Sequence, residues 1–168
     1  MIDHILEQRL VIARARPEVF AFFADPAHAS RLMPPWIRVT LLGGAGRTVG
    51  AGTVLDYRVS CLGVPFAWRA FVREFDPPFR FLDVQLRGPF ARWEHRHRFL
   101  ADGDGTLMED RITYRLPLGL VGGAAHAVAF RHLVAAAWRR RTQRIGELVG
   151  PVSSPEGTAG RRPCSADR

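Results

Sequence analysis

Residues 79–117 read FRFLDVQLRGPFARWEHRHRFLADGDGTLMEDRITYRLP, three runs of alternating apolar and polar residues. Gly-Pro at 88–89 and Asp-Gly-Asp-Gly at 102–105 separate the runs, and both are typical turn sequences. Alternation with a period of two is typical of strands, because successive side chains of a strand lie on opposite faces. We therefore predict three consecutive antiparallel strands.

The middle run indicates which face of these strands is buried. Its two sets of alternating side chains are Arg92, Glu94, Arg96 and Arg98 on one face, and Trp93, His95, His97 and Phe99 on the other. Because the arginine face must contact water, the face with the two histidines is predicted to be buried.

The turns predict which residues of the three strands are neighbours. A short turn at Gly103 sets His97 opposite or diagonal to Met108 and Asp110, and a loop at Gly88–Pro89 sets Asp83 beside His95. The polar residues predicted on the inward face are Asp83, Gln85, His95, His97, Asp110 and Tyr114. A packed core does not tolerate this many polar groups unless they pair with each other, with water or with a ligand. We therefore predict a concave sheet that lines a partly polar cavity.

The rest of the chain completes a single α+β domain. A first strand over residues 3–13 is followed by two short helices, which end at Pro34-Pro35. Further strands are predicted over 36–42, 53–61 and 65–75. From Val121 to Val149 apolar residues recur at helical spacing, which predicts one long amphipathic helix. Residues 151–168 have the composition of a disordered tail, so the domain is predicted to span 1–150.

The arginine content bears on whether the protein binds nucleic acids or membranes. All 24 residues counted as Lys or Arg are arginine, which indicates a general compositional bias rather than selection for phosphate contacts. Five arginines crowd the C-terminal segment, at positions 131, 139, 140, 141 and 144. They allow peripheral contact with an anionic membrane, but no nucleic-acid motif accompanies them, so no specific nucleic-acid partner is predicted.

Cysteine usage and hydropathy point to a cytoplasmic protein. Cys61 and Cys164 are too few for a disulfide framework or a thiolate zinc site. No window is apolar over the roughly 18 residues that a membrane helix needs. The N-terminal MIDHILEQRL has no basic-then-apolar signal pattern, so we expect a cytoplasmic location.

Four motifs carry a resemblance to a known family. They are PPW at Pro34–Trp36, F-x-D-x-Q-x-x-G-P-F at Phe81–Phe90, W-x-H-x-H-x-F at Trp93–Phe99, and G-T-x-M-x-D-x-x-x-Y-x-x-P at Gly105–Pro117. With the order of the predicted elements, the chain resembles the START-like (SRPBCC, helix-grip) superfamily over roughly residues 1–150. The motifs are similar to a bacterial branch described as ligand-binding or polyketide cyclase/dehydrase-like.

The resemblance implies a seven-stranded antiparallel sheet curved around the long C-terminal helix, with an elongated cavity between them. It also implies that Phe130, Val134 and Trp138 form part of the cavity wall. Arg141 follows Trp138 by one helical step, on or beside the apolar stripe. We favour an arginine at the helix edge with its head group in water; the alternative is a cation in the cavity that meets an aspartate or a ligand carboxylate.

The row of histidines and aspartates allows three hypotheses. In the first, His95 and His97 bind a metal with Asp83 or Asp110. We disfavour it, because buried histidine–carboxylate pairs usually satisfy each other and START-like cavities seldom hold metals, so neither a metal nor a cofactor is predicted. In the second, His95, His97 and Asp110 are candidate catalytic residues of a cyclase, dehydratase or hydrolase that uses general acid–base chemistry.

The third hypothesis, which we prefer, is a recognition network that orients a mostly apolar ligand. Asp83, His95, His97 and Asp110 would hold each other, with Gln85 and Tyr114 nearest the guest. The ligand would be a lipid, polyketide, quinone or similar molecule. The residues predicted to contact it are Tyr57, Trp68, Asp83, Gln85, Trp93, His95, His97, Asp110, Tyr114, Phe130, Val134, Trp138 and Arg141.

An interaction protein remains as an alternative of a different class. Its basic C-terminal helix would dock on an acidic partner or a membrane surface, and a completely filled interior would favour it.

Overall fold

The computed structural model describes residues 3–42, 48–117 and 130–155 of the 168-residue chain. Within these ranges it contains one antiparallel sheet and three α-helices. The elements in chain order are β1 (His4–Ile12), α1 (Arg16–Ala24), α2 (Ala29–Leu32), β2 (Ile37–Leu41), β3 (Val54–Cys61), β4 (Val64–Asp76), β5 (Arg80–Arg87), β6 (Arg92–Asp102), β7 (Gly105–Arg115), α3 (Arg131–Leu148) and β8 (Val152–Ser153). The α+β class and the helix-grip arrangement that the sequence predicts are confirmed.

The sheet has eight strands in the order β2-β3-β4-β5-β6-β7-β1-β8, where seven were expected. The additional strand is β8, whose Val152 pairs with Ile12 of β1. Composition alone assigned this segment to a disordered tail, but the Ala13 N–H donates to the Pro151 carbonyl at 2.9 Å and Val152 packs against the core. Residues 156–168 of the predicted tail, and residues 121–129 of the predicted helix, lie outside the described residues.

Tight turns fix the register of the strands. Leu62 and Gly63 join β3 to β4 with φ of 51° and 86°, the left-handed conformations that match the twist of a hairpin. Gly103, with φ of 57°, begins the turn between β6 and β7. As a result His97 lies directly opposite Asp110, and Asp83 of β5 lies opposite His95. The register that the sequence predicts is confirmed.

The sheet is irregular where β4 pairs with β5. The register shifts between Arg69 and Ala70, and again between Val72 and Glu74. Such bulges bend a strand and increase its twist, which helps a sheet to curve around a helix.

The buried apolar residues form two clusters. The first joins residues of α1, α2, β1, β5, β6, β7 and the C-terminal end of α3: Leu10, Ile12, Val19, Phe20, Leu32, Phe81, Phe99, Met108, Ile145 and Val149. The second lies on β3 and β4 and consists of Leu55, Tyr57, Val59, Ala70 and Val72. Among the described helices, none combines the length and the apolar character that crossing a bilayer requires.

Candidate functional site

A cavity of about 360 Å³ lies between the inner face of the sheet and α3. Its volume falls within the range of small-molecule sites, roughly 300–1,000 Å³. The wall is overwhelmingly apolar, and both hydrophobic clusters contribute to it. The cavity therefore interrupts the core at the place where the sequence predicts polar inward-facing groups.

One face of α3 forms part of the cavity wall. Its lining residues are Leu133, Val134, Ala137, Trp138 and Arg141, which recur every three or four positions and so lie on one side of a helix. Farther along the same side, Ile145 is completely buried in the first cluster. The N-terminal half of α3 thus covers the cavity, and its C-terminal half packs in the core.

A buried ionic group connects two residues of the cavity wall, His97 and Arg141, to Asp110 behind them. Arg141 donates from Nη1 to Oδ2 of Asp110, and Nδ1 of His97 lies 2.6 Å from Oδ1 of the same carboxylate. The side chain of Asp110 has no exposed surface, and Arg141 is 4% exposed. Burial would raise the pKa of Asp110, but Arg141 and His97 outweigh it and hold that pKa below its ordinary value. Asp110 is therefore an anion that links the sheet to α3.

Arg141 corrects the expectation of an arginine at the helix edge. Its guanidinium is inside the protein, 5.0 Å from the ring centre of Trp138 and 5.3 Å from that of Phe23. Because Asp110 lies across from it on β7, the charge is balanced without contact with bulk water. The alternative interpretation, a cation that meets an aspartate beside the cavity, is the one observed.

Asp83 and His95 complete the polar part of the cavity wall. Oδ1 of Asp83 is 4.0 Å from Nε2 of His97, and Nε2 of His95 is 3.8 Å from Oδ1 of Asp110. Burial raises the pKa of Asp83 to about 6. Burial, together with the neighbouring His97, lowers the pKa of His95 well below its usual value. Nε2 of His95 is buried and has no hydrogen-bond partner among the described residues.

Most of the residues that the sequence places at the site do line the cavity. They are Tyr57, Trp68, Asp83, Trp93, His95, His97, Phe130, Val134, Trp138 and Arg141. Asp110 lies behind His97 and Arg141 and is not part of the wall. Of the three candidate catalytic residues, His95 and His97 line the cavity and Asp110 does not.

Gln85 and Tyr114, which were expected nearest the guest, are not among the residues that line the cavity. The amide of Gln85 holds the loop after β5, since Nε2 donates to the Phe90 carbonyl at 2.8 Å and Oε1 accepts from the Phe90 N–H at 3.4 Å. Gly88 leaves room for it, because a Cβ there would lie 2.2 Å from Oε1 of Gln85. Tyr114 is 1% exposed and is packed among aromatic rings, including Trp93 and Phe130.

The segment from α1 to α2 supplies wall residues that the sequence analysis missed. Among them are Phe22, Phe23, His28 and Met33. His28 stacks on Phe22 with ring centres 4.3 Å apart, and its Nδ1 is 3.0 Å from the Phe22 carbonyl oxygen. The pleat of a strand tells which side chains point inward, whereas these short helices have no repeating pattern from which to choose a face.

A curved sheet with a C-terminal helix across an internal cavity defines the class of helix-grip proteins. Within that class, residues 12–137 match the family model described as polyketide cyclase / dehydrase and lipid transport. The match covers more than half of the chain, so the chain belongs to this family. A comparison with curated proteins finds no match.

Solved structures share the fold at low sequence identity. A Chromobacterium violaceum protein is 15% identical with a TM-score of 0.65, over 89% of this chain and 97% of its own. A Thermus thermophilus protein is 18% identical with a TM-score of 0.65, over 89% and 100% of the two chains. A Streptomyces aromatase/cyclase is 16% identical with a TM-score of 0.62, over 87% and 96%.

Proposed function

We propose that this protein binds a small, largely hydrophobic ligand, such as a lipid, polyketide or quinone, in the cavity between the sheet and α3. The observation that carries the proposal is the apolar cavity of about 360 Å³, with the polar groups of Asp83, His95, His97 and Arg141 in its wall. Membership of a family described by cyclase, dehydrase and lipid-transport functions supports it.

The wall explains how such a ligand would be held. Burial of apolar surface contributes roughly 25 cal/mol per Å², so a guest that fills the cavity gains most of its affinity from shape and area. A hydroxyl or carbonyl group near His95 would pair with a ring nitrogen that otherwise stays buried and without a partner. The polar groups would then orient the guest, and the apolar wall would hold it.

A cavity-filling variant tests this proposal. Thermal shift and native mass spectrometry against lipids, quinones, sterol-like compounds and polyketides should give at least one bound ligand. Ala137→Phe, which places a ring in the cavity, should weaken that binding at least ten-fold. Ala135→Phe, on the exposed side of the same helix, is the matched control and should bind like the wild type.

Two results would contradict ligand binding in this cavity. Absence of any ligand across the panel, or equal binding by the Ala137→Phe and wild-type proteins, would overturn the proposal.

A second candidate is a cyclase- or dehydratase-type enzyme that uses the same cavity. The specific observation in its favour is the contact of His97 with Asp110, which fixes one imidazole nitrogen and turns Nε2 toward Asp83. His97→Gln should then abolish turnover of a bound polyketide while binding persists. Unchanged product by mass spectrometry would exclude this role for His97.

The interaction-protein alternative is less well supported. A filled interior would favour it, whereas the structure has a cavity. Within its basic helix, Arg141 is internal and Arg144 is paired with Glu147. Peripheral membrane contact and a cytoplasmic location stay predictions.

A further inference from the structure

We propose that Asp83, His95 and His97 form a binding site for one divalent transition-metal ion in the cavity wall. One ring nitrogen of each histidine and one carboxylate oxygen of Asp83 lie within 4.8 Å of one another. The two histidines are two residues apart on β6, and Asp83 faces His95 from β5, so the pleat and the register bring the three side chains together.

The donor set suits ions such as Zn²⁺, Fe²⁺ or Co²⁺. Two imidazoles and one carboxylate are a ligand combination that these ions accept while keeping positions open for water or a substrate. With metal–ligand distances of about 2.0–2.2 Å, donors in such a site are roughly 3.0–3.5 Å apart. The present distance of 4.0 Å between Oδ1 of Asp83 and Nε2 of His97 is longer than this, so metal binding would draw these two donors together by about 0.5–1.0 Å.

His97 is already oriented as a ligand. Its Nδ1 lies 2.6 Å from Oδ1 of Asp110, although the two atoms are not aligned as a hydrogen bond. With a proton on Nδ1, the lone pair of the ring is on Nε2, the nitrogen 4.0 Å from Asp83. A carboxylate behind a histidine is the usual support of a metal-binding imidazole, because it fixes the tautomer and the ring orientation. Asp110 is in turn fixed by Arg141.

His95 removes the objection raised by the sequence. A metal was disfavoured because buried histidines and carboxylates usually satisfy each other. His97 and Asp110 approach to 2.6 Å, but among the described residues neither Nδ1 of His97 nor Oδ1 of Asp110 has a hydrogen-bond partner. Nε2 of His95 is likewise buried without one, 3.8 Å from the same carboxylate oxygen. A bound ion would give these polar atoms the partner that buried polar groups normally have.

The charges of the neighbours favour a cation. With both imidazoles neutral, as metal binding requires, Asp83, Asp110 and Arg141 sum to one negative charge. Arg141 donates to Asp110, so its positive charge is balanced locally. A bound ion would add a Lewis acid to the wall, suited to a carbonyl or phenolate oxygen of a guest.

Metal titration tests the site independently of any organic ligand. Full-length protein stripped with a chelator is titrated with Zn²⁺ by calorimetry and with Co²⁺ by visible absorption, which reports the ligand geometry. We expect one ion per chain. Asp83→Asn and His95→Gln, which keep the side-chain size similar, should each weaken binding at least ten-fold.

His28→Gln is the matched control, because His28 lines the same cavity outside the cluster. It should bind the metal like the wild type, and circular dichroism verifies the fold of each variant; if one of the cluster variants fails to fold, the other decides. Absence of stoichiometric binding by the stripped wild type would overturn the proposal. Unchanged affinity in the folded cluster variants, or an equal loss in His28→Gln, would do the same.

Discussion

The side chain of Asp110 is held in place by partners on two different elements. Its side chain is fully buried, and it contacts a guanidinium from α3 and an imidazole from the neighbouring strand. Removing one partner from a buried ion pair costs far more than the pair itself contributes, because the remaining charge has no compensation. The carboxylate is therefore a structural anchor whatever the cavity holds.

Asp110→Asn should lower the free energy of unfolding by about 3–5 kcal/mol, because Arg141 is left buried without a counter-charge. Urea denaturation measures the loss. Replacing Arg141 by Met in the same protein should recover part of it. Asp56→Asn, which breaks the exposed pair with Arg69, is the control and should change stability little.

A loss in Asp110→Asn no larger than in Asp56→Asn would show that the buried pair is not needed for stability. The same reasoning affects tests of catalysis. Because Asp110 supports the fold, an inactive Asp110 variant says little about chemistry, whereas the cavity-facing His97 is informative.

Single residues were the hardest to predict from sequence. The alternation on β6 was enough to place His97 inward, because a strand offers only two faces. Arg141 and Gln85 were misjudged for one reason: each satisfies its polar head through a partner that no local pattern reveals. One partner is across the fold on β7, and the other is a loop backbone at Phe90.

At the scale of elements, the pairing of β1 with β7 leaves no room for a side chain at position 105. A Cβ built on Gly105 would lie 2.8 Å from the carbonyl oxygen of Ile12, closer than such atoms approach in proteins. The neighbouring atom belongs to the backbone of a paired strand, so it cannot move aside as a flexible side chain does.

Gly105→Ala is expected to destabilise the protein by about 1–3 kcal/mol, as overpacking does. Gly50→Ala provides the comparison, because nothing lies within 4 Å of a Cβ built there. It should be neutral or stabilising by up to ~1 kcal/mol. Thermal denaturation of the two variants should therefore give shifts of different size or sign; equal shifts would contradict the strand contact.

The long strands were predictable, and so were the short elements α1, α2 and β2, whereas the two-residue β8 was not. Strands of eight or more residues carry enough alternation to reveal both their faces and their turns, so β5, β6 and β7 were placed in the correct register. The two-residue β8 has no such pattern and depends on its contact with β1. The wall contributed by the segment from α1 to α2 was missed for the same reason.

At the scale of the molecule, the cavity divides the hydrophobic interior unevenly. The first cluster joins α1, α3 and the strands around β7, so several layers protect it. The second cluster lies on β3 and β4 and borders the cavity. The strands around β7 are therefore covered by packed helices, whereas β3 and β4 border the cavity.

Amide hydrogen exchange should report this difference. The central amides of β6 and β7 should be protected nearly to the level of global unfolding, whereas those of β3 should open through smaller local fluctuations and exchange faster. Mass spectrometry of deuterium uptake gives both rates, and uniform protection across the sheet would contradict the expectation. A guest that fills the cavity at saturating concentration should slow deuterium uptake in β3 and β4 most of all, so these two strands would report its binding before its identity is known.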